Sequence, residues 1–486
     1  MTSAPVQTVA ICGSGLALWM TAAALARSLP DSIQVTIVET GVNPVDDIFY
    51  GQILPPQAYA FHLSIGLSEP ELLLNTGTTF ALGTQFQSWA QTDRSWVQAF
   101  HQPLPVWDGV PLTKLIHQRP HASLQSILIT AQAGLKGVFA HPSEDGAHLL
   151  SRAEYGYAVD PNQLSALYKA STLRRPIPLI TAQIVSVQRA STGITGLTLS
   201  DGQTLHADLF IDCTGPLAQL QEKTTATAAT DRTVKATLKQ TSGTPLGAAL
   251  QYVRSGGYGW RSEVILRSGA RRLTVCDANA QTETSAGPDV STTLTLGSRP
   301  EGWRTNCIAI GQAAYVIEPF TTAPMKLLLR DIDRVLKLFP ISTDMRIDAQ
   351  EYNRLFRDDY AHASLFNQAH FAMSDYPETP YWQGTAAHNQ DPKLVRKLTQ
   401  YESRGYLAAY DNEPFDDVDW AVLHDGMGRT PQRRDPLAAL VDPATIDTRL
   451  DALQNAIQSV VKKMPPHPIY MGKFLSYLQR KYTRNG

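Results

Sequence analysis

The stretch Thr8-Val9-Ala10-Ile11-Cys12-Gly13-Ser14-Gly15-Leu16-Ala17-Leu18-Trp19-Met20, taken up again at Val35-Thr36-Ile37-Val38-Glu39-Thr40, decides the fold. Val9 to Cys12 is a short apolar run of the kind that forms a buried parallel strand. Gly13 and Gly15 permit a tight turn and let backbone N–H groups approach a pyrophosphate at a helix N-terminus. The Ala- and Leu-rich residues Leu16 to Arg27 read as that helix, and Val35 to Val38 as the second strand. Glu39 ends that strand, where a carboxylate accepts hydrogen bonds from the two ribose hydroxyls of an adenosine. Leu18 stands where the fingerprint's third glycine normally keeps helix and strand close. A glycine pair alone says little. Strand, turn, helix, strand and terminal acid together predict a dinucleotide site, against the competing reading of a βαβ unit that binds nothing.

With 486 residues, 43% of them hydrophobic, the chain can form one large domain with insertions or two to three lobes. A net charge of −2 and only 18% charged residues argue against a polyanion-binding surface, so nucleic acid is not an expected partner. Apolar runs are short and broken by charge, which predicts no transmembrane helix and no membrane partner. The opening Met1-Thr2-Ser3-Ala4-Pro5 has neither a basic nor an apolar signal-peptide region. Cys12, Cys213, Cys276 and Cys307 lie far apart in apolar surroundings and read as buried thiols of a reducing compartment, with no metal spacing. The expected location is the cytoplasm.

Beyond Glu39, residues 41–47 read as a loop, and Phe49-Tyr50-Gly51-Gln52-Ile53-Leu54 as a turn near a cofactor. Residues 57–75 carry helical patterning, with Ser68 as an N-cap before Pro70. Residues 78–89 alternate as one strand. His117 and His121 are four apart, but Pro120 argues against a helical zinc pair. A helix is predicted from Pro161, and strands across 178–215 ending at Phe210-Ile211-Asp212-Cys213-Thr214-Gly215, a second contact to a dinucleotide in many flavoproteins. Residues 232–298 read as a β-sheet wall over a pocket. A helix from about Met325 to Leu338 would point its positive end, near Thr321 and Thr322, at a flavin or an anion. Residues 1–345 are thus expected as a cofactor-binding module with inserted substrate-side segments, and 346–486 as a mainly helical region.

Several of these segments resemble the flavin-dependent tryptophan halogenase family, and through it the flavoprotein monooxygenases. They are Gly13-Ser14-Gly15 with Trp19-Met20, residues 77–89, 210–215, and Asn306-Cys307-Ile308-Ala309-Ile310-Gly311 through Glu318-Pro319. Ala369-His370-Phe371, Thr379-Pro380-Tyr381-Trp382 and Gly426-Met427-Gly428 continue the match nearly to the end. The resemblance implies an α/β fold: a Rossmann-like FAD-binding module, a β-sheet wall and a mainly helical C-terminal part. It implies FAD contacts from Gly13, Ser14, Gly15, Leu16, Ala17, Glu39, Gly51, Asp212, Gly311, Gln312 and Thr322. It also implies FAD delivered reduced by a flavin reductase in trans, oxidation of halide to hypohalous acid, a small aromatic substrate and a homodimer.

The departures fall on the positions that carry the family's chemistry. The lysine that handles the oxidised halogen is here Ala81, after Phe80, and a methyl group neither donates a hydrogen bond nor forms a haloamine. The family's glutamate two residues past Glu-Pro is here Thr321, a poor general base. The family's Gly-Glu-Ala-Thr turn reads Gly51-Gln52-Ile53-Leu54, and its Trp-x-Trp segment keeps only Trp260, after Tyr258.

Three readings follow. The first is an FAD-dependent monooxygenase acting on an aromatic or indole-like substrate without halogenating it, with Gln52, Thr321 and Thr322 as catalytic candidates and Phe80, Tyr258, Trp260 and His370 lining the substrate. Glu318 and His370 read more readily as structural hydrogen-bonding groups; Trp89, Trp96, Trp107, Tyr258 and Trp260 suggest a π-lined cleft, against core packing as the alternative for each. The second is a halogenase with its lysine moved to Lys114 or Lys326. The third is a non-catalytic, partner-recognising homologue.

Overall fold

The computed structural model describes residues 4–41, 47–89, 94–119, 122–221, 232–279, 290–374, 379–386, 391–433 and 435–483. The opening stretch folds as strand β1 (Thr8–Gly13), helix α1 (Gly15–Ser28) and strand β2 (Gln34–Glu39). β1 pairs in parallel with β2 on one side and with Leu209–Cys213 on the other. The sheet runs in the order Leu179–Thr181, β2, β1, Leu209–Cys213, Cys307–Ala309, Trp303–Arg304, all parallel but for the last strand. Such an order places the C-terminal ends of β1 and β2, and the turn after Cys307–Ala309, along one edge, where ligands of open α/β sheets bind.

Glycine is required where β1 ends. Gly13 has φ +148°, and a Cβ there would lie 2.0 Å from the Cys213 carbonyl oxygen. α1 is buried along almost its whole length, from Leu16 to Leu25. Leu18, in place of the third fingerprint glycine, is fully buried in the core.

A seven-stranded sheet forms the wall, in the order Val290–Thr295, Thr233–Thr241, Gly269–Asp277, Gly259–Leu266, Gln251–Gly256, Gly83–Gln87, Ser95–Ala99. A three-stranded sheet, Ile53–Leu54, Gly156–Ala158 and Thr79–Ala81, bridges wall and cofactor module. The single strand expected over 78–89 is therefore two strands in two sheets. The chain breaks at Leu82, and Gly83, at φ +146°, sits so close that a Cβ would be 2.4 Å from the Gln98 carbonyl oxygen. Period-2 alternation runs through this corner unchanged, which hides the switch from the sequence.

The helical expectations hold at Pro161–Thr172, capped by Asp160, and at Ala323–Lys337. C-terminal to these, Arg346–Ala372, Pro392–Arg404, Asp417–Gly426, Pro443–Lys463 and His467–Thr483 are helices. Residues 42–46 of the loop after Glu39, His121 and Pro120 lie outside the described residues. All four cysteines are buried and free. Among the described residues no helix is long and apolar enough to cross a membrane.

Ser68 caps the helix Glu69–Asn75 in a capping box: its hydroxyl accepts from the Glu71 N–H, and Glu71 Oε2 accepts from the Ser68 N–H at 2.9 Å. Ser68→Ala is expected to lower stability by about 1 kcal/mol, read as a shifted urea midpoint at unchanged slope.

Candidate functional site

The groups expected to meet a dinucleotide are brought together along the sheet edge. Gly15 (φ +63°) opens α1, Glu39 ends β2 and is 5% exposed, and Gly311-Gln312 follow Cys307–Ala309. This is the frame the sequence predicts for a dinucleotide site. The groups it would offer are nevertheless engaged by the protein's own side chains. The Leu16 N–H, in the first turn of α1, donates to Asp47 Oδ1 at 2.7 Å. A Cβ on Gly15 would lie 2.4 Å from the same oxygen, so the carboxylate rests against the glycine turn. The Gln312 N–H donates to the Tyr50 hydroxyl at 2.9 Å, and a Cβ on Gly311 would lie 2.2 Å from that hydroxyl. Burial pushes the Tyr50 phenol well above its ordinary range, so it is neutral. Glu39 accepts from Lys169 Nζ at 2.7 and 2.9 Å and from Trp19 Nε1 at 3.3 Å. Gly51 packs with its Cβ position 3.3 Å from Pro319 Cβ. In this conformation the Leu16 amide, the Glu39 carboxylate and the Gln312 amide are each paired within the chain.

Asp212, expected as a second dinucleotide contact, is bonded within its own loop. Its carboxylate accepts from the Thr214 N–H and hydroxyl and from the Leu220 and Gln221 N–H groups, at 2.6–3.2 Å. These bonds lock its own loop and leave little of the carboxylate for a ligand.

Ala81 and Thr321 lie in different surroundings. Ala81 is fully buried among Ile53, Ala158, Val264 and Leu266. The Thr321 hydroxyl donates to Asn367 Oδ1 at 2.6 Å, and Asn367 donates to the Glu318 carbonyl at 2.9 Å. The Ala323 N–H points back to Thr321 Oγ1 at 3.2 Å, and Pro324 has no N–H. The helix end expected to face a flavin or an anion is thus short of donors.

Glu318 is the most heavily bonded acid of the region. Its carboxylate takes Arg232 NH2 at 2.8 Å, Trp260 Nε1 at 2.9 Å and the Tyr381 hydroxyl. Burial opposes the charge of Arg232, but Glu318 and Tyr381 outweigh it and hold the guanidinium above its ordinary value. Arg232 also lies 4.6 Å from the Tyr381 ring. A cleft of about 50 Å³, lined by Arg232, Glu318, Asn367 and Phe371 among others, borders this cluster. That is far below the roughly 300 Å³ of a small-ligand pocket.

Of the four residues expected around a substrate, Trp260 and His370 both pack on the Phe320 ring, at 5.6 and 5.3 Å, whereas Phe80 belongs to another aromatic cluster. Phe80 is stacked on Phe139 at 4.3 Å, in an aromatic cluster with Tyr470 and Phe474 of the last helix. His370 is fully buried between Phe86, Phe320 and Phe366, with its pKa lowered by burial to about 4. Trp260 serves Glu318, and Tyr258 sits on a turn, 41% exposed. Trp89 and Trp96 are core. Neither candidate relocated lysine reaches the region. Lys114 pairs with Asp435 at 2.8 Å, and Lys326 donates to the Pro414 carbonyl at 2.8 Å, over the Phe415 ring.

Sequence reasoning missed Asp47, Tyr50, Lys169, Arg232 and Asn367. Lys169 meets Glu39 across 130 residues of chain, and no spacing rule links them. Asp47 and Tyr50 flank a turn the sequence did mark, but nothing local shows which way their side chains face. Gln52 stands apart: it is 2% exposed and neither its carboxamide oxygen nor its nitrogen has a partner among the described residues.

The family model described as tryptophan halogenase matches residues 8–443. A 7-chloro-L-tryptophan 6-halogenase of Kutzneria sp. (strain 744) is 23% identical, over 95% of this chain and 98% of that protein. A tryptophan 6-halogenase of Streptomyces albogriseolus is 22% identical, over 81% of this chain and 80% of its own. Among solved structures, a flavin-dependent halogenase from Brevundimonas sp. BAL3 has the same fold, with a TM-score of 0.88 at 22% identity over 96% of this chain and 99% of that one.

Proposed function

The chain belongs to the tryptophan halogenase family, and from that premise we propose that it is a flavin-dependent oxidoreductase that does not halogenate. Its substrate class is aromatic or indole-like, and its FAD arrives reduced by a separate flavin reductase. When bound, reduced FAD would supply oxygen activation; the chain's residues supply placement.

The observation that carries the non-halogenating half is Ala81, a methyl closed into an apolar cluster at the position of the family's lysine. The Thr321 hydroxyl donates its hydrogen bond to Asn367, and a neutral hydroxyl is a poor general base. Gln52 is the polar group left to orient a ligand, because it is buried without a partner among the described residues and an unpaired buried amide is costly. Glu318 supports this region through Arg232, Trp260 and Tyr381.

A second reading is favoured by one specific observation. Asp47 and Tyr50 fill the dinucleotide cleft, which suits a homologue that recognises a partner and performs no flavin chemistry.

Supplied with a flavin reductase, NADH, FAD, oxygen and chloride or bromide, the protein is expected to give no halogenated product from tryptophan or indole, as followed by mass spectrometry. A brominated or chlorinated indole product would sink the proposal. Loss of one oxygen-containing product on Gln52→Ala, with the fold retained, would support it.

A further inference from the structure

We propose that Asp47 and Tyr50 act as an internal plug of the dinucleotide cleft, so that FAD enters only as these two side chains leave. The inference rests on the reading that the chain uses FAD.

The Asp47 carboxylate occupies the Leu16 N–H at 2.7 Å, the amide at the positive end of α1 where a phosphate of a dinucleotide would otherwise bind. Two anions do not share one amide, and a pyrophosphate brought beside an ionised carboxylate is repelled. Tyr50 repeats the arrangement on the opposite bank. Its hydroxyl accepts the Gln312 N–H at 2.9 Å and stands where a Cβ of Gly311 would be. Both glycine turns, at φ +63° for Gly15 and +62° for Gly311, have the open backbone that lets a ligand approach closely. In each case the group making the close approach is a side chain of the protein.

The two residues are also rooted. Asp47 is 4% exposed and Tyr50 4%, with Ile48 and Phe49 buried between them in a single helical turn. Their withdrawal therefore costs packing as well as hydrogen bonds, and FAD must meet that cost out of its own binding. The expected result is a weak site in the native chain, which suits a flavin received from another protein and passed on.

Two variants test this. Asp47→Asn keeps the shape and removes the charge; Asp47→Ala with Tyr50→Val empties both banks. Titration followed by flavin fluorescence is expected to show FAD bound at least tenfold more tightly by each folded variant than by the native chain. Hydrogen exchange provides a readout without flavin: the Leu16 and Gln312 amides are expected to be protected in the native chain and to exchange faster in the double variant. Native protein that binds FAD as tightly as the variants overturns the plug and leaves the flavin reading standing. If no folded variant binds FAD although both amides have become fast, the flavin reading falls, and the plug with it.

Discussion

Glu318→Ala is expected to lower stability by roughly 3–5 kcal/mol, the cost of breaking a buried ion pair on one side. The substitution strands Arg232 without its carboxylate and leaves Trp260 Nε1 and the Tyr381 hydroxyl without their acceptor beside a cleft of only about 50 Å³. A buried guanidinium with no counter-charge is the largest part of that cost. Glu318→Gln keeps the shape and part of the hydrogen bonding, so its loss is smaller. Removing both charges in Glu318→Gln with Arg232→Met is expected to recover a good part of the alanine loss, since a buried pair often stabilises no more than an apolar replacement. Urea unfolding with unchanged slope measures all three. A Glu318→Ala loss below about 1 kcal/mol, the value of an exposed pair, would show that the cluster is open to solvent.

Acid sensitivity is the second large effect. Burial lowers His62, His117 and His370 from 6.5 to about 4, and His424 to about 3, with the cations Arg429, His117 and Lys397 adding to burial at His424. A group whose pKa is depressed in the folded state stabilises the fold fully above its unfolded value, and that stabilisation is lost as the pH falls through the folded value. A difference of about 2.5 pH units corresponds to ~3 kcal/mol for one histidine. Several together rival the typical net stability of about 5–15 kcal/mol. The protein is therefore expected to hold its stability down to about pH 6.5 and to unfold cooperatively between there and pH 4. Asp331 works in the other direction. Burial raises its carboxyl to about 6 against the pull of Arg334, so it favours the fold at low pH and loses that contribution as the pH rises through 6. Asp212 and Asp425, likewise raised by burial, act in the same sense, while each of the four histidines pulls the other way. Replacing His370 by glutamine is expected to shift the acid midpoint downward, and an unchanged midpoint would remove this histidine from the account.

These two effects show where sequence and structure part. Composition and a single βαβ reading were enough for the α/β class, because a parallel strand, a glycine turn and a terminal acid are local patterns with local causes. The capping box at Ser68 and the helices at Pro161 and Ala323 were legible for the same reason. That Ala81 and Thr321 depart from the family pattern is an expectation drawn one residue at a time, with that pattern beside the sequence.

What surrounds those residues could not be read that way. Whether Glu39 faces a ribose or Lys169, whether the α1 amide meets a phosphate or Asp47, and whether His370 lines a pocket or fills a core depend on side chains far apart in the chain. Residues 78–89 keep one alternation through two sheets, so even a strand's partners were hidden. The sequence by itself determined the frame of strand, glycine turn, helix and strand, because turns and strands follow from residues a few positions apart. Only the tertiary structure decided what fills that frame, because burial and hydrogen-bond pairing are settled between distant segments that compete for the same amides and carboxylates.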